Sequence, residues 1–148
     1  MRHGEAEARS TSDEERHLTM RGKTQAKEQG QWLKSMNVEL DKVLVSPYVR
    51  TQDTFFQINE IYQNSLIDKQ EIWKGITPDG NSSNVVNYLI LLFKQKYQSV
   101  LLLSHLPLVS EIVTELCGKN PASFYPSTIV QIEFDGQNAI VEQIKYPN

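Results

Sequence analysis

The sequence predicts an α/β fold, a mixed sheet sandwiched between helices. Two short apolar, β-branched runs, Val43–Val45 and Val100–Leu103, read as buried strands. Each run stops at a serine, with a proline close behind and an amphipathic helical pattern after it. The chain then closes on two alternating segments, Thr128–Phe134 and Ala139–Lys145, around Asp135-Gly136, a hairpin signal. Strands that alternate with helices and end in a hairpin make an α/β sandwich.

Taken in order, Glu5 to His17 is polar and charged without period, so it reads as a loop. Thr19 is placed to cap a helix reaching Met36, with Ala26, Trp32, Leu33 and Met36 facing inward. The strand Lys42–Val45 leads to a helix over Tyr48 to Tyr62, buried along Phe55, Ile58, Ile61 and Tyr62. Ser46 is expected to cap that helix, with Pro47 in its first turn, where a missing N–H costs nothing. A short strand near Glu71 to Trp73 precedes a helix from Ser83 to Tyr97, whose run Val85 to Phe93 suggests burial. The strand Val100–Leu103 and a helix Pro107–Cys117 follow, and Gly118 is suited to ending that helix.

At 148 residues the chain is expected to be one domain, long enough to bury its own core. A net charge of −3 gives no global argument for nucleic acid or membrane, so an anion site must be a local basic pocket. No apolar run is long enough to span a bilayer. Cys117 is the single cysteine; it reads as a packed thiol, and its solitude suits a reducing cytoplasm. Three histidines without acidic partners at ligand spacing argue against a zinc site.

The chemistry concentrates in three segments. The chain opens Arg2-His3-Gly4-Glu5, where a histidine can attack a phosphoryl group while an arginine neutralises its oxygens. Gly4 would let the backbone approach a bound anion. Ser46-Pro47-Tyr48-Val49-Arg50 puts Arg50 at the start of a helix on a strand's carboxyl end, the edge of an open α/β sheet where ligands bind. Ser104-His105 lies at the same edge of a second strand. Arg2, His3, Arg50 and His105 thus converge on one rim.

Arg2-His3-Gly4, Ser46-Pro47 with Arg50 and Gln52, and Ser104-His105 with Pro107 resemble the histidine phosphatase superfamily, the phosphoglycerate-mutase-like proteins. Arg16-His17-Leu18-Thr19 with Gly22, Thr77-Pro78 with Gly80, and His105-Leu106-Pro107-Leu108-Val109 tighten the likeness to its SixA-type phosphohistidine phosphatases. The resemblance implies a mostly parallel sheet, with Arg-His-Gly ending a central first strand. Only Met1 precedes that motif here, so the sheet is expected to lack its first central strand. Unpaired backbone groups in such a sheet would cost about 1–3 kcal/mol each. The natural protein is therefore expected to start upstream, with Met1 an internal methionine.

The resemblance also implies roles. His3 is the expected nucleophile, passing through a phosphohistidine intermediate; Arg2 and Arg50 neutralise the phosphoryl oxygens, and His105 donates from the opposite side. Arg16 is expected to join the phosphate pocket, with His17 a solvated neighbour. Phosphate binding is thus assigned to Arg2, Arg16, Arg50 and His105, with no metal and no cofactor. Neither Asp79 nor Glu71 matches a leaving-group acid, and Glu5, Glu7, Asp13, Glu14 and Glu15 read as a solvated loop. A missing acid suits an imidazole leaving group, whose conjugate acid has a pKa of about 6.5. The short segments between His3, Arg50 and His105 leave no room for a large lid and suggest an open site. The expected substrate is a histidine-phosphorylated protein, either a sensor kinase's phosphotransfer domain or a phosphotransferase-system carrier, met by a cytoplasmic monomer. A small-molecule phosphomonoesterase and a non-catalytic phosphate-binding module are the alternatives.

Overall fold

A computed structural model describes residues 1–148. Its helices are α1 (Met20–Ser35), α2 (Val49–Ile61), α3 (Ser82–Lys94) and α4 (Leu108–Cys117). Its strands are β1 (Lys42–Val45), β2 (Gln70–Ile72), β3 (Val100–Leu103), β4 (Ile129–Phe134) and β5 (Ala139–Lys145). The strands β2, β1 and β3 pair in parallel in that order, and β4 and β5 form an antiparallel hairpin. This is the expected mixed, mostly parallel α/β architecture.

Alternation along the central strands explains the two layers. Val43 and Val45 of β1, with Leu101 and Leu103 of β3, face one core with Leu33 of α1 and Phe55 and Ile58 of α2. Leu44 points the other way, into a second core with Val85 and Leu92 of α3 and Leu108 and Ile112 of α4. Successive strand side chains leave opposite faces, so a strand covered by helices on both sides must be apolar throughout.

Local chemistry sets the helix ends. The Thr19 hydroxyl accepts from Gly22 N (3.0 Å) and caps α1, and Asn81 does the same for α3 through Asn84 N (3.0 Å). Gly118 ends α4 at φ 83°, a left-handed conformation that favours glycine. Three expectations need correcting. Ser46 does not cap α2: the helix begins later, at Val49, and the Ser46 hydroxyl faces the site. Met36 is exposed, because α1 ends at Ser35 and the chain turns away. The run from Val85 to Phe93 is buried only at Val85 and Leu92; Leu91 is exposed, and Phe93, partly exposed, lines a cavity between the sheets and meets the Phe134 ring (6.0 Å between centroids).

No full strand separates β3 from β4. Met1 to His3 alone bridge them, with Arg2 in a parallel bridge to Ser104. His3 N donates to Ser104 O (3.1 Å) and Ser104 N to Met1 O (3.0 Å). On the other side Arg2 N donates to Thr128 O (3.1 Å) and Ser127 N to His3 O (2.9 Å). Beyond this bridge, an apolar cavity of about 530 Å³ lies between the two sheets, lined by Met1, Leu102, Val113, Phe124, Ile129 and Ile132 among others.

The start of α1 presses against the turn after His3. A Cβ on Gly22 would lie 2.0 Å from Glu5 O, and one on Gly4 would lie 2.6 Å from Gly22 O. Gly4 is therefore required by helix packing, in addition to any role beside an anion. Both obstructions are backbone and cannot swing aside. Gly22→Ala is expected to destabilise the fold by about 1–3 kcal/mol in urea titrations; an unchanged midpoint would show that the helix can shift without cost.

Candidate active site

Arg2, His3, Arg50 and His105 do converge, at the carboxyl ends of the parallel strands. His3 and His105 are both buried, with ring centroids 5.2 Å apart. Nδ1 of His3 lies 2.7 Å from Gly4 O. A carbonyl only accepts, so Nδ1 carries the proton and Nε2 keeps its lone pair. Arg50 Nε donates to that same Nε2 (3.2 Å), which agrees with the assignment. Burial, followed by the charges of Arg50, Arg2 and Arg16, lowers the His3 pKa to about 4 against the Gly4 hydrogen bond, so the ring is neutral at physiological pH. Burial first, then His3 and the arginines, lower that of His105 to about 2.

Thr54, one turn beyond Arg50, ties the nucleophile to the helix that carries the arginine. Its hydroxyl accepts from Gly4 N (3.0 Å) and donates to Arg50 O (2.8 Å). Arg2 is held by a bond from Nη1 to Phe124 O (2.8 Å). Four buried side-chain polar atoms have no protein partner, Ser127 Oγ and Thr128 Oγ1 where the chain enters the hairpin, and Arg2 Nε and His105 Nδ1. Buried donors are rarely left unpaired, and the last two fit an anion bound among the four residues.

Arg16 is brought to the site through Asp13. Arg50 Nη1 donates to Asp13 O (2.7 Å) and Nη2 to Asp13 Oδ2 (3.3 Å), while Arg16 Nε donates to Asp13 Oδ1 (3.0 Å). Arg50 is 5% exposed and Asp13 59%, so the turn at Asp13–Glu15 covers the arginine as a strap. His17 is 63% exposed, yet its Nδ1 lies 2.9 Å from Asp53 Oδ2, which pins the strap to α2.

From sequence Asp13 reads as a solvated loop residue and Ser46 as a helix cap, and nothing there singles out Thr54. Asp13 stands three residues before Arg16, a spacing that could have signalled the pair. For Thr54, the position one turn after Arg50 is a signal only once Arg50 is known to be functional.

A model of the histidine phosphatase superfamily (branch 1) matches residues 1–75. A phosphohistidine phosphatase SixA homolog of Haemophilus influenzae is 53% identical over 145 residues, covering 94% of this chain and 88% of that protein. The phosphohistidine phosphatase SixA of Escherichia coli is 38% identical over 136 residues, covering 91% of this chain and 83% of its own. Among solved structures, the protein histidine phosphatase SixA complexed with tungstate matches with a TM-score of 0.92 at 35% identity, over 97% of this chain and 92% of that one.

Because the folded protein holds His3 near 4 and an unfolded chain leaves it near 6.5, the unfolded state binds the extra proton between those values. The contribution of His3 to stability is therefore full above pH 6.5 and is lost as the pH drops toward 4, on the order of 3 kcal/mol. Urea melts above and within that window check the expectation. A flat profile would contradict a neutral His3.

Proposed function

This chain belongs to the histidine phosphatase superfamily, and from that footing we propose that residues 1–148 act as one phosphohistidine phosphatase domain working through a phosphorylated His3. The observation that carries the reading is the lone pair on His3 Nε2, fixed by the Nδ1 bond to Gly4 O and lying against Arg50. The two SixA relatives, named as phosphohistidine phosphatases, support the substrate class.

In the first step, His3 Nε2 forms a bond to phosphorus as the P–N bond of the substrate breaks. The bonding pair goes to the departing imidazole, which leaves neutral if its other nitrogen is already protonated. Arg2, Arg50 and the N–H of His105 neutralise the charge spread over the phosphoryl oxygens. Phosphorylated His3 is an imidazolium, because Nδ1 keeps its proton on Gly4 O. Water then attacks phosphorus, His3 departs as a neutral ring, and the water proton passes to phosphate or solvent. No strong acid is needed, since imidazole is a far better leaving group than an alkoxide. The carboxylate of Asp13 already accepts from Arg50 and Arg16, so it serves as a counter-charge.

The substrate is a histidine-phosphorylated protein, with a sensor kinase's phosphotransfer domain or a phosphotransferase-system carrier as the partner. Cytoplasmic action fits both; no helix is long and apolar enough to cross a membrane.

Incubation with a histidine-phosphorylated phosphotransfer domain tests this reading through release of acid-labile phosphate. The parent is expected to release it and His3→Ala to release none, while Arg50→Ala lowers kcat by about 10²–10³-fold. Equal release by parent and His3→Ala would sink the covalent route. Tungstate is expected to compete with substrate, and EDTA to leave the rate unchanged; loss of activity in EDTA, restored by a divalent metal, would overturn the metal-free route.

A further inference from the structure

His105 poses a problem that the mechanism does not resolve. Its ring is neutral, so only one of its nitrogens carries a proton. Phosphoryl oxygens only accept, so the nitrogen facing them must be the protonated one. Nδ1 is the buried nitrogen without a protein partner, whereas Nε2 lies 2.8 Å from the Ser46 hydroxyl. Which group donates in that second contact decides whether His105 helps or repels an anion.

We propose that Ser46 is a positioning residue that donates its hydroxyl proton to Nε2 of His105 and so fixes the ring proton on Nδ1, aimed at the phosphoryl site. Ser46 is fully buried at the end of β1, and its oxygen already accepts from Tyr48 N (3.3 Å). With that bond made, the hydroxyl proton has one acceptor within reach, Nε2 of His105. In the reverse arrangement Ser46 would accept twice, leaving its own proton buried and unpaired, while Nδ1 turned a lone pair toward phosphoryl oxygens. Buried donors are costly to leave unpaired. The ring packs edge-on against Tyr48 (5.0 Å between centroids, 68° between planes) and His3, contacts that favour the orientation placing Nε2 rather than a ring carbon against Ser46.

The two histidines then hold the same tautomer for opposite uses. At His3 a carbonyl accepts from Nδ1 and frees a lone pair to attack. At His105 a hydroxyl donates to Nε2 and frees an N–H to receive charge. This explains why Ser46, expected to cap α2, leaves the helix to begin without it.

The role assigned to the His105 N–H rests on the phosphatase reading, but its proton is located on the resting protein without turnover. Long-range proton–nitrogen correlation spectra of the full chain with ¹⁵N-labelled histidine, recorded above pH 7, are expected to show His105 Nδ1 protonated and Nε2 as an acceptor. In Ser46→Ala the proton should move to Nε2, and tungstate binding should weaken by roughly tenfold to a hundredfold, with the His3 pattern unchanged. A parent spectrum with the proton on Nε2 overturns the proposal even if the variant fails to fold. So does a folded Ser46→Ala that keeps both tautomer and tungstate affinity.

Discussion

Four main-chain hydrogen bonds seat Met1, Arg2 and His3 between Ser104 on one side and Ser127–Thr128 on the other. They join the parallel sheet to the hairpin, and they hold the two residues with the most chemistry at the seam. Neither sheet alone presents a complete site. β1 and β3 bring Ser46 and His105, while the chain entering the hairpin closes over the opposite side through Phe124 and Ser127. Ser127 holds its place at φ 66°, an unusual conformation for a serine, and the buried Gln29 of α1 donates to its carbonyl (2.7 Å). Met1 N also donates to Leu102 O on β3 (2.8 Å).

Gathering Arg2, Arg50 and Arg16 around two imidazoles carries a cost before any anion arrives, because like charges and burial both oppose it. Burial is the leading cause of the lowered pKa of both Arg2 and Arg50. The protein meets the cost with carbonyls and one carboxylate: Phe124 O for Arg2, Asp13 O and Oδ2 for Arg50, Asp13 Oδ1 and Glu7 O for Arg16. The histidines stay uncharged, so the positive field remains with groups that cannot lose it. A nucleophile kept neutral beside fixed cations combines attack with charge neutralisation in one pocket.

The parts of this arrangement legible in the sequence were those tied to strong local patterns. Two apolar runs ending in Ser46 and Ser104 marked strand ends, and position at a strand end was enough to bring Arg50 and His105 together with His3. The alternating segments around Asp135-Gly136 were readable as a hairpin for the same reason. What escaped was set by three-dimensional neighbours. Ser46 looked like a helix cap because a serine before proline often is one; its hydroxyl was instead claimed by a histidine 59 residues away. Asp13 looked solvated because it is mostly exposed, yet exposure did not prevent one carboxylate from engaging two arginines. On α3, an apolar run suggested burial all round, and only the side facing α4 and the sheet received it.

Thr54 has a consequence of its own. One hydroxyl spans from Gly4 N to Arg50 O, so the peptide that follows His3 and the first turn of α2 are bolted together. When α2 breathes, nucleophile and guanidinium travel as a rigid pair and their separation is preserved. The Asp13–Glu15 strap is tied to the same arginine, whose Nη1 donates to Asp13 O (2.7 Å) and whose Nη2 donates to Asp13 Oδ2 (3.3 Å). The alignment that attack on phosphorus requires is thus built into attachments of the main chain, and does not depend on the rotamers of exposed side chains.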